Sequence, residues 1–172
     1  MVGLDSLLNS RTAAGFRKNS HAATQLGAVH GGHRHAKGER ADKKLAQWQA
    51  IAVASSEQCG RNRVLQVGTP VNLSHAIAQL SAAPLQAARW VLSLAPGTRS
   101  LQEMMQTLKT SKDEGQSKRG EVILLSGPEG GLSPTEEAQA IAAGFVPVSL
   151  GHRVLRAETA PVAVLSALSC WD

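Results

Sequence analysis

The chain has 172 residues, 42% of them hydrophobic, and a formal net charge of +5; one ordinary core is expected, and a second large domain is argued against. The excess of Lys and Arg suits a polyanionic partner without specifying any sequence it reads, while three Trp, two Phe and no Tyr leave too few aromatic faces for a single-strand-binding platform. Cys59 and Cys170 offer neither a disulfide framework nor paired metal spacing, as in a reducing compartment, and Ala160 to Trp171, the longest apolar stretch, is too short to cross a bilayer, so a soluble, cytoplasmic protein is expected.

Residues 1–37 read as a basic leader, disordered or divergent. After Asp5 no acid appears until Glu39, while Arg11, Arg17, Lys18, Arg34 and Lys37 accumulate among small residues, a bias shared with transit-like segments. His30-Gly-Gly-His-Arg-His35 lacks the Cys or carboxylate that a built metal site would add, so no metal is expected.

From Asp42 onward helices and strands alternate. Leu45, Trp48, Ile51, Ala52 and Ser55 fall at helical spacing within 42–59. Val64 to Val67 reads as a short strand, Asn72 as the cap of a helix through Leu80, Trp90 to Leu94 as a strand, and Ser100 to Leu108 as a helix. Lys109 to Gly120 is charged and poor in apolar residues, which predicts a surface loop. Glu121 to Ser126 has the composition of a buried parallel strand. It breaks at Gly127-Pro128, and Ser133-Pro-Thr-Glu136 has capping-box spacing with proline at the first helical position, predicting a helix to about Ala143. Gly144 ends that helix, Phe145 to Leu150 forms the next strand, and a small-residue helix begins near Ala157. The fold class is therefore α/β, a mostly parallel sheet with helices on both faces.

Two turns at strand ends carry the chemistry. Gly127, Gly130 and Gly131 let backbone approach a ligand, and Glu129 adds a carboxylate; Gly130 is the position at which a branched side chain is expected to block that approach. No G-x-x-x-x-G-K-[ST] and no G-x-G-x-x-G opening a helix is present, so neither a phosphate-cradling loop nor a dinucleotide fold is supported. The second turn, Leu150-Gly-His-Arg-Val-Leu-Arg156, leads to Glu158 and Thr159 at a helix start, where the macrodipole favours an acid.

With Trp48-Gln-Ala-Ile-Ala-Val-Ala-Ser-Ser-Glu-Gln-Cys-Gly-Arg-Asn-Arg63, the blocks GPEGG-x-S-x-x-E and LG-x-R-V-L-R-A-E-T-A resemble the ribosomal RNA small subunit methyltransferase E family. These are SPOUT-class enzymes that use S-adenosylmethionine to methylate N3 of a uridine in 16S rRNA. The resemblance runs from Gly38 to the C-terminus and implies a SPOUT methyltransferase domain over 38–172, ending in a trefoil knot. It also implies a homodimer with 16S rRNA in the small ribosomal subunit as partner. The family normally opens with a PUA-like barrel; nothing in residues 1–37 reads as one, so the chain is expected to be N-terminally truncated or divergent. By resemblance, Leu125, Gly127, Gly130, Leu150, Gly151, Val154, Leu155, Thr159 and Ala160 border the cofactor, and no metal is required. Arg61 matches an arginine that lies near the reacting base or phosphate in related enzymes, and Arg156 is a second candidate for RNA contact. Glu129 and Glu158 either organise the site or satisfy backbone amides. Two other readings stay open: a catalytically weak adenosyl-ligand-binding remnant, and a basic RNA-binding or ribosome assembly factor.

Overall fold

The computed structural model describes residues 12–17, 25–29, 39–60, 64–81, 87–113 and 121–170. In chain order these form β1 (Thr12–Arg17), β2 (Gln25–Val29), α1 (Glu39–Gln58), β3 (Gln66–Val71), α2 (Leu73–Ser81) and β4 (Ala87–Leu92). They continue with β5 (Arg99–Ser100), α3 (Leu101–Asp113), β6 (Glu121–Ser126), α4 (Pro134–Ala142), β7 (Val146–Ser149) and α5 (Thr159–Cys170). The strands make one sheet in the order β3-β2-β1-β6-β4-β7-β5. β1 runs antiparallel to both neighbours, and the other pairings are parallel, so the sheet is mostly parallel, as expected.

Successive strand residues point to opposite faces, and each face has its own core. Val91, Ile123 and Leu125 pack with Leu73, Ala76 and Ile77 of α2, Ala140 of α4 and Phe145. Their sequence neighbours Trp90, Val122 and Leu124 join Val148, Met104 and Met105 of α3, and Val164 and Leu168 of α5 on the other side. From Val122 to Ser126 every β6 residue is buried, which explains why that strand reads as a continuous apolar run instead of an alternation.

The chain ends of α4 follow the predicted chemistry. Ser133 and Glu136 form both halves of a capping box, with Pro134 at the first helical position. Gly144, at φ +85°, closes the other end: the Phe145 amide donates to the Ala140 carbonyl at 3.0 Å and the Gly144 amide to that of Ile141 at 2.9 Å, a Schellman arrangement. Asn72 caps α2, its Oδ1 accepting from the His75 amide at 2.7 Å.

Three readings are corrected by the structure. Thr12–Arg17 and Gln25–Val29, inside the expected leader, are strands of the sheet. β3 continues past Val67 through Pro70 to Val71; it is an edge strand, where a missing proline N–H costs no ladder bond. Its edge is closed by Gln49 of α1, whose Nε2 donates to the Leu65 carbonyl at 3.3 Å and whose Oε1 accepts from the Val67 amide at 3.3 Å. α3 extends to Asp113, because Lys109 to Asp113 are adequate helix formers even without apolar residues to bury.

β4 begins at Ala87, earlier than the apolar run suggests, because it contains a buried arginine. Arg89 is only 5% exposed; Nη1 donates to the Ala143 carbonyl at 2.9 Å and Nη2 donates to the Leu80 carbonyl. These carbonyls lie at the C-terminal ends of α4 and α2, where orphan acceptors and the negative dipole end both favour a cation. Arg89 thus clamps two helices to the strand that both of them cover.

Candidate active site

The ligand-facing end of the sheet follows from the parallel register. Trp90 pairs with Leu124 on one side and with Val146 on the other, so β6, β4 and β7 finish together and their following loops emerge at one end. This is where parallel α/β sheets accept ligands. Ser93 continues the contact, its amide donating to the Val148 carbonyl at 3.1 Å, and its Oγ accepts from the Ala95 amide at 3.0 Å to turn the chain.

Between the loops lies an open cleft. One wall comes from Leu92, Ser93 and Leu94 after β4, another from Ser126, Gly127, Pro128, Glu129 and Gly131 after β6. Val148, Leu150, Gly151, Arg153, Val154, Leu155, Ala157 and Ala160 supply the third. Apart from Glu129 and Arg153 these walls are small, apolar or backbone.

Each turn has a specific reason for its glycines. A Cβ on Gly127 would stand 2.8 Å from the Gly131 carbonyl carbon and 2.8 Å from the Leu132 nitrogen, so the turn folds back on itself at that residue. Gly131 has φ +73°, and its amide donates to the Pro128 carbonyl at 2.7 Å. At Gly130, by contrast, an added Cβ meets nothing within 4 Å. Within the turn's own packing, Gly127 is therefore the crowded position and Gly130 the open one.

Gly151 has φ +106°, a conformation other residues rarely adopt. Ser149 fixes it from both sides, Oγ accepting from the Gly151 amide and donating to its carbonyl, each at 3.2 Å. The loop is pinned again at its far end, where the Thr159 and Ala160 amides donate to the Arg156 carbonyl at 2.9 and 3.0 Å and α5 begins.

Of the residues expected to border a cofactor, Gly127, Leu150, Gly151, Val154, Leu155 and Ala160 line this cleft. Leu125 does not; it is 1% exposed and belongs to the core beneath. Gly130 and Thr159 are exposed and outside the lining. Glu129 is exposed in the cleft wall. Arg156 is turned to solvent, its side chain 86% exposed, with Nη1 3.9 Å from Oε1 of the quarter-exposed Glu158. Arg61 and the histidine cluster at 30–35 lie outside the described residues. Among the described residues no group of three or more His, Cys, Asp or Glu could hold a metal.

Sequence reasoning missed the β4 contribution and Arg153. The signal was available for the first: a third parallel strand must also end at the ligand side, which draws Leu92 to Leu94 into the site. No spacing rule separates Arg153 from Arg156, since only the fold of the loop decides which one meets the cleft.

An RNA methyltransferase domain model matches residues 22–169. The chain is 35% identical over 127 residues to the ribosomal RNA small subunit methyltransferase E of Synechocystis, covering 73% of this chain and 38% of that protein. Among solved structures, the Neisseria gonorrhoeae ribosomal RNA small subunit methyltransferase E bound to S-adenosyl methionine is similar at TM-score 0.62 and 32% identity, over 82% of this chain and 52% of that one. A Legionella pneumophila protein described as a methyltransferase, in complex with bound cofactor SAM, is similar at TM-score 0.64 and 30% identity, over 83% and 53%. The chain thus spans about half or less of the length of these relatives. Among the described residues no helix is long and apolar enough to cross a membrane.

Proposed function

The chain belongs to the RNA methyltransferase domain family, and from that premise we propose that it methylates N3 of a uridine in the 16S rRNA of the small ribosomal subunit, using S-adenosylmethionine, in the cytoplasm. The observation that carries this reading is the cleft at the shared end of β4, β6 and β7. Its walls join the two sequence blocks that resemble the methyltransferases, and relatives of this fold have been solved with the cofactor bound.

The residues present fit such a ligand. The cofactor supplies a methyl group on a sulfonium, an intrinsically reactive donor. What the chain supplies is shape and backbone: Gly127 leaves the room that a Cβ would take, and Gly151 bends the backbone at φ +106° so that the loop turns along the cleft wall. Leu92, Leu150, Leu155 and Ala160 offer apolar contact, suited to an adenine ring and ribose edge. Holding donor and acceptor in line provides a large part of the acceleration in such transfers.

The acceptor nitrogen must lose its imide proton, and charge then develops on the uracil. Arg61 is proposed to stabilise that anion or to clamp a phosphate. Glu129, in the cleft wall, is proposed to attract the positively charged donor, and Arg156 to contact RNA. Leu94 and Val154 are 71% and 73% exposed at the cleft and Val162 of α5 is 39% exposed; these apolar groups support a homodimer in which a second copy covers them. The passage of 150–158 beside the 127–131 turn, before α5 packs back under the sheet, supports a trefoil knot.

Titration calorimetry with S-adenosylmethionine and a methyl-transfer assay on small ribosomal subunits lacking the modification test the reading together. Cofactor binding with methyl incorporation at a uridine is expected. Binding without transfer would identify a catalytically inert remnant, and RNA binding without cofactor binding would identify an assembly factor.

A further inference from the structure

The positive charge that the cleft presents to an incoming ligand comes from Arg153, the first arginine of the LG-x-R-V-L-R block. Arg89 is buried and committed to the carbonyls of Leu80 and Ala143. Arg99 lies 3.9 Å from Glu103, and Arg156 faces solvent beside Glu158. Arg153 alone among the described arginines lines the cleft. It is exposed, and among the described residues it enters no hydrogen bond or ion pair.

Its setting is fixed on both sides. Two residues before it, Gly151 is held by Ser149 through two hydrogen bonds; three residues after it, the Arg156 carbonyl accepts from the first amides of α5. A guanidinium on a loop pinned at both ends loses little freedom on meeting an anion, and its planar fork matches phosphate oxygens in pairs. Its neighbour Val154 and the facing Leu94 are the most exposed large apolar residues described, which places this part of the wall at the mouth. The floor, by contrast, includes Ser126 and Val148, at 5% and 0% exposure.

Resting on the functional reading above, we propose that Arg153 is a positioning residue that grips an RNA phosphate beside the target nucleotide at the cleft mouth. A cation at the mouth meets a polyanion arriving from solution, whereas a ligand seated on the floor is enclosed by backbone and apolar groups. The charge balance of the chain points the same way, at +5. Neutralising a phosphate releases condensed counterions, so this contact has a measurable signature in salt dependence that a folding role would not produce.

The test uses the full chain, small ribosomal subunits lacking the modification, and S-adenosylmethionine. Equilibrium RNA-particle affinity is measured across a salt series, and cofactor affinity by calorimetry, for wild type, Arg153→Gln, Arg153→Lys and the distant control Arg99→Gln. Arg153→Gln is expected to weaken particle binding roughly tenfold, as loss of a charge-assisted hydrogen bond does. It should also lower the slope of log affinity against log salt by about one ion. Cofactor affinity should stay within about twofold of wild type. Arg153→Lys should restore the slope, since the charge returns, and only part of the affinity, since the fork does not. Arg99→Gln should match wild type. An unchanged slope in Arg153→Gln overturns the proposal, as does a loss of cofactor affinity there, which would assign the guanidinium to the cofactor carboxylate. Wild-type protein that fails to bind cofactor but shows the Arg153-dependent salt slope would sink the methyltransferase reading alone; wild-type protein without salt-dependent particle binding would overturn both.

Discussion

Gly127 is the position at which the site should be least forgiving. Its backbone is not in the left-handed region, so replacing it with alanine adds no conformational strain, only a methyl group. That methyl would stand 2.8 Å from two backbone atoms, the Gly131 carbonyl carbon and the Leu132 nitrogen. Neither can move by a rotamer change; the whole 127–131 turn must shift outward, away from the Pro128 carbonyl bond that shapes it. Forced overpacking of this kind costs about 1–3 kcal/mol, equivalent to a melting temperature lower by about 2–12 °C for a domain of this size. The shift also displaces a wall of the cleft, so S-adenosylmethionine affinity should fall at least roughly tenfold. Gly130→Ala is the matched comparison, because its methyl meets nothing within 4 Å and its φ is ordinary; melting temperature and affinity should both stay near wild type. Calorimetric titration and thermal melts on the pair decide the matter. Wild-type affinity in Gly127→Ala, or an equal loss in Gly130→Ala, would refute the placement of the close approach.

Three further outcomes are expected. Arg89→Met removes a buried cation and strands the Leu80 and Ala143 carbonyls, costing about 2–6 kcal/mol at one to three per orphaned group; a urea midpoint change equivalent to less than about 1 kcal/mol would contradict the clamp. Ser133→Ala deletes one half of the α4 capping box and should cost about 0.5–2 kcal/mol, read by the same melts. Leu94→Glu with Val154→Glu places charge on the exposed apolar rim and should convert a dimer into monomers on sizing with light scattering. A dimer that persists would show that this rim is not the interface.

How far the sequence reaches can be judged residue by residue. The α4 boundaries are legible because both are set locally: Ser133, Pro134 and Glu136 fix the start, and Gly144 fixes the end. β6 is legible because burial on both faces leaves an unbroken apolar run. β4 is misplaced because Arg89 looks like a surface residue until two helix ends arrive to satisfy it, and no local pattern encodes that meeting. β1 and β2 are missed because their pairing is long-range, Thr12 opposite Ser126 and Gln25 opposite Gln66, while their composition reads as basic and small. The cleft divides in the same way. Gly127 and Gly151 are visible as glycines after strands, but only the folded turn shows that Gly127 is crowded and Gly130 open. Leu125, quoted beside the turn, points into the core because the strand alternates and Ser126, one residue later, takes the cleft position.

The two ends of the sheet carry different kinds of sequence constraint. At the carboxyl ends of β4, β6 and β7 the loops are exposed, glycine-shaped and held by a few short-range hydrogen bonds, which leaves side chains free to meet ligands. At the opposite end the chain returns from α2 into β4 and from α4 into β7, and there Arg89 and the Schellman turn at Gly144 satisfy the helix carbonyls. An added Cβ at Gly144 would stand 3.9 Å from Nη1 of Arg89, so the turn and the clamp are neighbours in one structural unit. Substitutions at that end act on stability through orphaned acceptors and leave the cleft walls in place. Substitutions at the loop end remove contacts that ligands make, with little buried area at stake, except at Gly127, where the turn's own packing couples the two effects. A sheet whose strands are locked at one end can hold three loops in fixed register at the other, and that register is what brings Leu92, Gly127 and Leu150, distant in sequence, to the same cleft.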